Sequence, residues 1–192
     1  MYDTSLTTQI TRYAWLAVSI VWVIGAFSSK PTVRAESRGQ RLVEFCFLAA
    51  AFNLLFSPAL RVGPLGWRAL PVSAPVAWTG ALLTIGGAAF SIWARFLLGR
   101  NWSATVTVKR DHTLVCDGPY AIVRHPIYSG LLLAALGTAI TFGEVGCFLA
   151  PPVLAFGWWR KSRLEEEYMR GQFGAEYVRY SGRVKALIPF LW

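Results

Sequence analysis

Apolar runs alternate with polar segments that contain Gly, Pro and basic residues along the whole chain. Five such runs cover approximately residues 10–29, 42–60, 76–98, 127–142 and 145–159. A helix that crosses a membrane needs about 20 predominantly apolar residues. The pattern therefore predicts an all-α integral membrane protein with about five transmembrane helices, in a single membrane domain over residues 1–192.

The last two runs are separated only by Gly143 and Glu144, which predicts a tight helical hairpin. Pro151 and Pro152 fall inside the last run, where we expect them to kink the helix. After residue 159 we expect a cytoplasmic tail with a helix that stops at Gly174 and a second short helix over residues 175–180. Residues 186–192 turn apolar again and are expected to fold back onto the membrane face.

The basic residues predict the orientation. In a five-span topology, all Lys and Arg residues except Arg12, Arg61 and Arg68 fall on one side. By the positive-inside rule this side is cytoplasmic. We therefore expect the loop 99–126 and the tail 160–192 in the cytoplasm, and the N-terminus on the opposite side of a cytoplasmic (inner) membrane.

Composition supports a membrane protein and disfavours a nucleic-acid partner. Hydrophobic residues make up 55% of the chain and charged residues 15%, and the mean hydropathy is +0.43, well to the apolar side of soluble domains. The net charge of +9 is divided between apolar runs and does not form a stripe on a soluble face. We expect contact with membrane lipid, no nucleic acid and no obligate protein partner.

The candidate chemistry lies in residues 109–130, KRDHTLVCDGPYAIVRHPIYSG, a segment that carries both histidines of the chain, His112 and His125. We interpret this loop as one half of an active site and the acidic cluster at 165–167 as the other half. The aromatic faces of Tyr120 and Tyr128 suit a cation. Glu165 can accept hydrogen bonds from a ligand ammonium or from ribose hydroxyls. The loop is typical of a cradle for a polar, charged small molecule.

Other classes of site are disfavoured. Neither histidine has a Cys or carboxylate partner at ligand spacing, and Cys46, Cys116 and Cys147 have neither metal nor redox spacing, so we expect no metal. The serines within apolar runs lack the G-x-S-x-G context of a hydrolase. The sequence contains no phosphate loop and no dinucleotide fingerprint after a strand.

Simpler interpretations stay open for some of these residues. His125, ahead of Pro126, would cap the fourth span whether or not it binds a ligand. Glu166 and Glu167 are typical of a solvated helix face.

Three polar residues lie at or within apolar runs: Glu44, Asn53 and Arg95. Such residues are functional candidates by default, because polar groups in lipid are costly. Glu44 and Arg95 both fall near the expected cytoplasmic end, so we favour snorkelling or pairing over catalysis.

Together the motifs carry a family resemblance. In chain order they read HTLV at 112–115, GPY at 118–120, RHPIYSG at 124–130, EE at 165–166 and FGAEY at 173–177. This ordered set resembles the isoprenylcysteine carboxyl methyltransferase family, over about the last half of the chain. RHP alone would be a weak signal, and the first two spans match only in being apolar.

The resemblance implies an integral-membrane methyltransferase that uses S-adenosylmethionine, with S-adenosylhomocysteine as product, and has no Rossmann sheet. The implied cofactor contacts are His112, Thr113, Leu114, Val115, Tyr120, His125, Pro126, Ile127, Tyr128 and Glu165. The family arginine that binds the substrate carboxylate is replaced here by Lys161, with Arg163 and Arg160 as neighbouring candidates. A lysine is a point charge and lacks the bidentate fork of arginine, so the methyl acceptor stays open.

The function we expect is methyl transfer to a lipophilic small-molecule acceptor, such as the carboxylate of an isoprenylcysteine-like molecule. One alternative is an N- or S-methyltransferase that acts on phospholipid headgroups or other small molecules. A second is an enzyme like the NADPH-dependent sterol reductases. A third is a non-catalytic membrane scaffold or a small transporter, although the ionisable residues gather at one face and do not follow a path through the midplane.

Overall fold

Helices build nearly all of the described structure. The computed structural model describes residues 4–27, 32–35, 37–99, 107–109 and 113–189. Its α-helices are α1 (Thr4–Ala26), α2 (Arg38–Phe56), α3 (Ala74–Leu98), α4 (Pro119–Ile122), α5 (Pro126–Phe142), α6 (Val145–Phe148), α7 (Ala150–Phe173) and α8 (Ala175–Arg183). Two 3₁₀ turns, Pro58–Leu60 and Gly63–Gly66, lie between α2 and α3, and two short strands, β1 (Thr32–Ala35) and β2 (Thr107–Lys109), pair antiparallel. The predicted all-α class is confirmed, with this small ribbon as an addition.

Three helices are long and apolar enough to cross a membrane: residues Leu6–Ala26 of α1, and the whole of α2 and α3. The 17 residues of α5 form a shorter apolar helix. The chain is therefore a membrane protein, whereas the count of five spans and the orientation remain predictions.

The fifth apolar run folds differently from the prediction. The helix is interrupted at Leu149. α7 then begins at Ala150 and continues without interruption to Phe173. The two prolines lie in the first turn of α7, where their missing N–H groups would have had no helical partner, so the interruption of this run lies just before the prolines. One helix, α7, carries both most of the predicted span and the start of the predicted tail, and the span boundary at residue 159 remains a prediction. The predicted stop at Gly174 is confirmed by its positive φ of 51°.

Glycines bring α3 and α5 into backbone contact. A Cβ atom added at Gly87 would lie less than 3.0 Å from the carbonyl oxygen of Gly130, and one added at Gly137 would lie 2.6 Å from that of Gly80. Small residues let helices approach this closely, and dispersion between the backbones then stabilises the pair. Gly80 and Gly87 of α3 face α5, whereas Gly86 is exposed and has open space where its side chain would be.

Buried hydroxyl and indole groups fix α1 against this pair. Trp15 donates its indole N–H to the hydroxyl of Thr138 at 2.9 Å, and Thr138 donates to the carbonyl of Ala134 at 2.8 Å. Thr84 on α3 donates to the carbonyl of Gly80 at 3.0 Å. Trp15, Thr84 and Thr138 thus each have a hydrogen-bond partner, which a polar group in an apolar surrounding requires.

The end of α5 away from the candidate site is held by the loop between α2 and α3. The backbone N–H of Ala69 donates to the carbonyl of Gly143, and that of Val145 donates to the carbonyl of Trp67. Arg61 forms an ion pair with Glu144 at 3.1 Å. Consequently α5 is fixed along its length by α3 and at this end by the loop, and its N-terminal end enters the candidate site in one orientation.

We expect Gly87→Ala to lower the thermal unfolding temperature of the detergent-solubilised protein. The added methyl group must separate α3 from α5, and overpacking of this kind costs about 1–3 kcal/mol. Gly86→Ala is the matched control: it makes the same change one residue away, in open space, and should leave stability equal or slightly higher because alanine favours helix. Equal unfolding temperatures for the two variants would contradict the backbone contact.

Candidate active site

The N-terminal end of α5 is built by a short, proline-punctuated stretch. α4 forms one turn, the chain then extends through Val123, and His125 is the N-cap of α5 with a ψ of 61°. A residue that precedes proline is pushed out of the helical region, and Pro126 suits the first helical position. The sequence RHP therefore places a histidine at the mouth of the helix, as the cap interpretation predicted.

His125 lies between two carboxylates from α7. Its Nδ1 is 3.3 Å from Oε2 of Glu165 and its Nε2 is 3.2 Å from Oε1 of Glu166. A neutral imidazole has one N–H and one lone pair, so one carboxylate would face a lone pair. Only the imidazolium can donate to both, and the geometry therefore favours a protonated His125.

Three rings stack beside this pair. The rings of His125 and Tyr128 are nearly parallel with centroids 5.7 Å apart, and Tyr128 stacks on Trp158 of α7 at 5.5 Å. The hydroxyl of Tyr128 donates to Oε1 of Glu165 at 2.5 Å. The site thus presents an anionic carboxylate next to aromatic faces, a combination that suits a cationic ligand.

Glu166 is the centre of a buried ion network. Its side chain is only 6% exposed. Arg124 donates to Oε1 through Nε at 2.9 Å and through Nη2 at 2.6 Å, and Arg170 donates to Oε2 at 3.1 Å. The interpretation of Glu166 as part of a solvated face is wrong, because α7 turns this residue inward while Glu167 stays exposed.

The segment after α8 is hydrogen-bonded to the loop that precedes α5. The backbone N–H groups of Arg124 and His125 donate to the carbonyls of Lys185 and Ala186, at 2.8 and 3.0 Å. Ser129 donates to the carbonyl of Leu187 at 2.5 Å, and Leu187 is buried. The described part of the apolar end segment therefore folds back onto the RHP loop, and its contact with a membrane face remains a prediction.

The charges shift the pKa values of the central groups. Burial lowers the pKa of His125, but the hydrogen bonds and charges of Glu165 and Glu166 outweigh it, so the pKa is raised. Burial raises the pKa of Glu166, yet hydrogen bonds from His125 and Arg124 bring it down to about 2. The pKa of Glu165 is lowered against the effect of burial by His125, with help from Lys161 and Tyr128. Each of these shifts favours the charged form of its group.

Two of the three residues predicted to bind an acceptor carboxylate lie in different places. Lys161 is one turn before Glu165 on the same face of α7, and its Nζ is 2.9 Å from Oε2 of Glu44 on α2. Arg163 is exposed, and its Cα lies about 200° around the helix from those of Lys161 and Glu165. The structure brings Lys161 to the site and leaves Arg163 outside it.

The other predicted cofactor residues differ in burial. Tyr120, Pro126 and Ile127 are buried, Leu114 and Val115 are partly buried, and Thr113 is exposed. The hydroxyl of Tyr120 donates to the carbonyl of Ala94 at 3.4 Å, and its own carbonyl accepts from Tyr180 at 2.7 Å. His112 lies outside the described residues.

Sequence reasoning did not place Trp158 or Glu44 in the site. Trp158, Lys161 and Glu165 follow the i, i+3, i+7 spacing of one helical face, so continuing the helix back from Glu165 would have found Trp158. Glu44 comes from α2, about 120 residues earlier, and only the fold brings it next to Lys161. Asn53, the third polar candidate, donates to the carbonyl of Ala49 within its own helix.

Comparison with known proteins gives one consistent group. The model of the phospholipid methyltransferase family matches residues 76–176. The chain is 34% identical over 103 residues to protein-S-isoprenylcysteine O-methyltransferase B of Arabidopsis thaliana (48% of this chain, 49% of the relative). It is 40% identical over 96 residues to the Schizosaccharomyces pombe protein-S-isoprenylcysteine O-methyltransferase (48% and 41%), and 32% identical over 116 residues to the human one (59% and 41%).

A solved structure of the eukaryotic intramembrane Ras methyltransferase ICMT aligns with a TM-score of 0.53 and 25% identity, over 83% of this chain and 55% of that one. These matches confirm the resemblance to isoprenylcysteine carboxyl methyltransferases that the motifs predicted. The chain spans about half the length of the curated relatives it matches.

We expect the stability of the protein to fall as the pH drops from 4.5 towards 2. A carboxyl group whose folded pKa is lowered stabilises the fold above its unfolded pKa, and this contribution is lost as the pH falls through the folded pKa. For Glu166, the window runs from 4.5 to about 2, and the contribution is on the order of 3 kcal/mol. Thermal unfolding at several pH values measures it.

Glu166→Gln should unfold at lower temperature near neutral pH and should lose less stability on acidification than the unaltered protein. Glu167→Gln, an exposed neighbour, is the control and should follow the unaltered curve. Parallel curves for Glu166→Gln and the unaltered protein would contradict the assigned role of Glu166.

Proposed function

Since this chain belongs to the phospholipid methyltransferase family, we propose that it transfers a methyl group from S-adenosylmethionine to the carboxylate of a lipophilic, isoprenylcysteine-like acceptor. The relatives are named for a protein-S-isoprenylcysteine acceptor, which is lipophilic but is not a small molecule. A small-molecule acceptor of the same chemistry is part of our proposal.

The observation that carries the proposal is the cluster of Glu165, Tyr128 and Trp158 beside the protonated His125. A sulfonium cofactor with an amino-acid end presents two cationic groups. Glu165 offers a carboxylate that stays ionised, and the stacked rings offer π faces, each of which attracts a cation. The donor set of this chain therefore fits such a cofactor.

S-adenosylmethionine, when bound, supplies a methyl group on an electrophilic sulfonium and leaves as S-adenosylhomocysteine. The residues of this chain bind and orient, since a displacement of this kind depends mainly on alignment and on exclusion of water. Tyr120, His125 and Glu165 are the binding residues we assign at the described side of the loop. The buried positions of Pro126 and Ile127 fix the backbone next to them.

The protonation state of His125 favours an acceptor that needs no base. An amine acceptor must lose its proton before it can attack, whereas a carboxylate is already anionic at pH 7. Because Glu165 and Glu166 hold His125 as a cation, its ring nitrogens cannot accept a proton. This leaves a carboxylate as the acceptor that the arrangement serves best.

A second candidate is N-methylation of a phospholipid headgroup. It is favoured by the description of the matching family model and by the ion pair of Lys161 with Glu44, which reduces the positive charge available for an acceptor carboxylate. The named relatives are methyltransferases, which disfavours a reductase or a scaffold.

We also propose that the site faces the cytoplasm from an inner membrane, with the N-terminus on the opposite side. The positive-inside rule supports this orientation. Cysteine labelling from each side of the membrane would test it.

We expect Glu165→Ala to weaken the binding of S-adenosylhomocysteine about tenfold or more, because a charge-assisted hydrogen bond is lost. Calorimetric titration of the detergent-purified protein measures this, with NADPH as the parallel ligand. Glu167→Ala is the matched control and should bind normally. Binding of NADPH alone would point to a reductase, and binding of neither ligand by folded protein would refute the methyltransferase proposal.

We expect Lys161→Ala to raise the KM for an acidic acceptor several-fold and to leave the Kd for S-adenosylhomocysteine unchanged. The reason is that Lys161 lies one turn from Glu165 and would face the acceptor. Arg163→Ala serves as the comparison and should leave the KM unchanged, since Arg163 is exposed. A raised KM in Arg163→Ala together with a normal KM in Lys161→Ala would instead assign the contact with the acceptor carboxylate to Arg163.

A further inference from the structure

Glu44 and Lys161 form an ion pair between α2 and α7 that the cofactor site does not explain. Lys161 Nζ lies 2.9 Å from Glu44 Oε2, and the two side chains are only 11% and 22% exposed. Glu44 is not among the motifs of the family resemblance. It lies in an apolar helix, where a carboxylate is costly unless it has a role or a partner.

We propose that the Glu44 carboxylate is an internal substitute for the acceptor carboxylate, and that it thereby determines acceptor selectivity. In the absence of acceptor it is the counter-ion of Lys161. An incoming acceptor carboxylate must compete with it for the ammonium group. This inference rests on the proposed function, because it assumes that Lys161 faces the acceptor.

The position of Lys161 supports this role. It lies on the same face of α7 as Glu165, four residues away, and its charge contributes to the lowered pKa of Glu165. An acceptor group bound at Lys161 would therefore lie next to the cofactor cluster. The carboxylate that pairs with Lys161 belongs to Glu44 on a different helix, α2. Glu44 can therefore be substituted without altering α7.

Burial explains why an internal counter-ion is present. A mostly buried ammonium group without an anion loses its hydration and gains little in return. Glu44 compensates this cost in the acceptor-free protein. The three N–H donors of a lysine ammonium point in different directions, so it can exchange one carboxylate for another by rotation of its side chain.

The same arrangement affects anionic acceptors and amine acceptors in opposite ways. Two carboxylates near one ammonium group repel each other, so Glu44 weakens the binding of an anionic acceptor. For an amine acceptor the sign is opposite, because Glu44 would then attract the acceptor directly. The effect of removing this one charge therefore distinguishes the two acceptor classes.

The test is Glu44→Gln in the full chain, in detergent, with an N-acetylated S-prenylcysteine as the acceptor. We expect the KM for this acceptor to fall roughly three- to tenfold, the range of a partly screened ion pair. The kcat and the Kd for S-adenosylhomocysteine should not change. Glu167→Gln removes a charge from the exposed face of α7 and should leave all three values unchanged.

A KM that is unchanged or higher in folded Glu44→Gln would overturn the proposal, and a higher KM would mean that Glu44 positions Lys161. In a Lys161→Ala background the benefit of Glu44→Gln should disappear, and its persistence would also overturn the proposal. If Glu44→Gln does not fold, Glu44→Asp withdraws the carboxylate by one methylene group and should lower the KM in the same direction.

A failure of this inference about Glu44 can be distinguished from a failure of the proposed function. If the unaltered protein does not bind S-adenosylhomocysteine, the methyltransferase proposal itself fails. If it binds and methylates an amine headgroup in place of the prenylcysteine, and Glu44→Gln raises the KM for that amine, the carboxylate competition is refuted and the amine acceptor is supported.

Discussion

The close contact of α3 with α5 is the constraint on which the rest of the structure depends. α5 is short, and its helix end carries the candidate site, so its position and rotation determine where His125 and Tyr128 lie. Backbone contact at Gly80, Gly87 and Gly130 excludes any side chain larger than hydrogen. In lipid, where apolar surface gains nothing by leaving the solvent, such contact is a main source of helix association.

Ion pairs fix the N-terminal end of α5, whereas packing against α3 fixes the rest of the helix. Arg124 and His125 come from the loop before α5, and Glu165 and Glu166 come from α7. Their pairing is buried, and a buried charge is tolerated only when it is matched and hydrogen-bonded. Nη1 of Arg124 donates to the carbonyl of Ser181 in α8 and to that of Val184, which follows α8. The site is therefore a closed network, in which the glutamates hold the histidine charged and the histidine holds both glutamates ionised.

Two neighbouring residues of α7, Glu165 and Glu166, have different positions in this network. Glu166 points inward and stabilises the junction of α5, α7 and the end segment. Glu165, one residue earlier, is partly exposed and lies beside Tyr128, which stacks on Trp158. Lys161 lies on the same face of α7 as Glu165, paired with Glu44. Helical periodicity alone accounts for the difference, because adjacent residues differ by about 100° around the axis.

The sequence by itself determined the class of fold, the apolar helices α1, α2, α3 and α5, the stop at Gly174 and the motifs of the site. These depend on local properties: length of apolar runs, positive φ at a glycine, a proline after a histidine. It did not predict that Pro151 and Pro152 lie in the first turn of a helix, because whether a proline breaks or begins a helix depends on where the preceding helix ends. Only the tertiary structure decided that Glu166 is buried, that Arg163 is exposed and that Glu44 meets Lys161. These facts depend on the rotation of α7 and on its contact with α2, and no local pattern encodes the distance between residues about 120 positions apart.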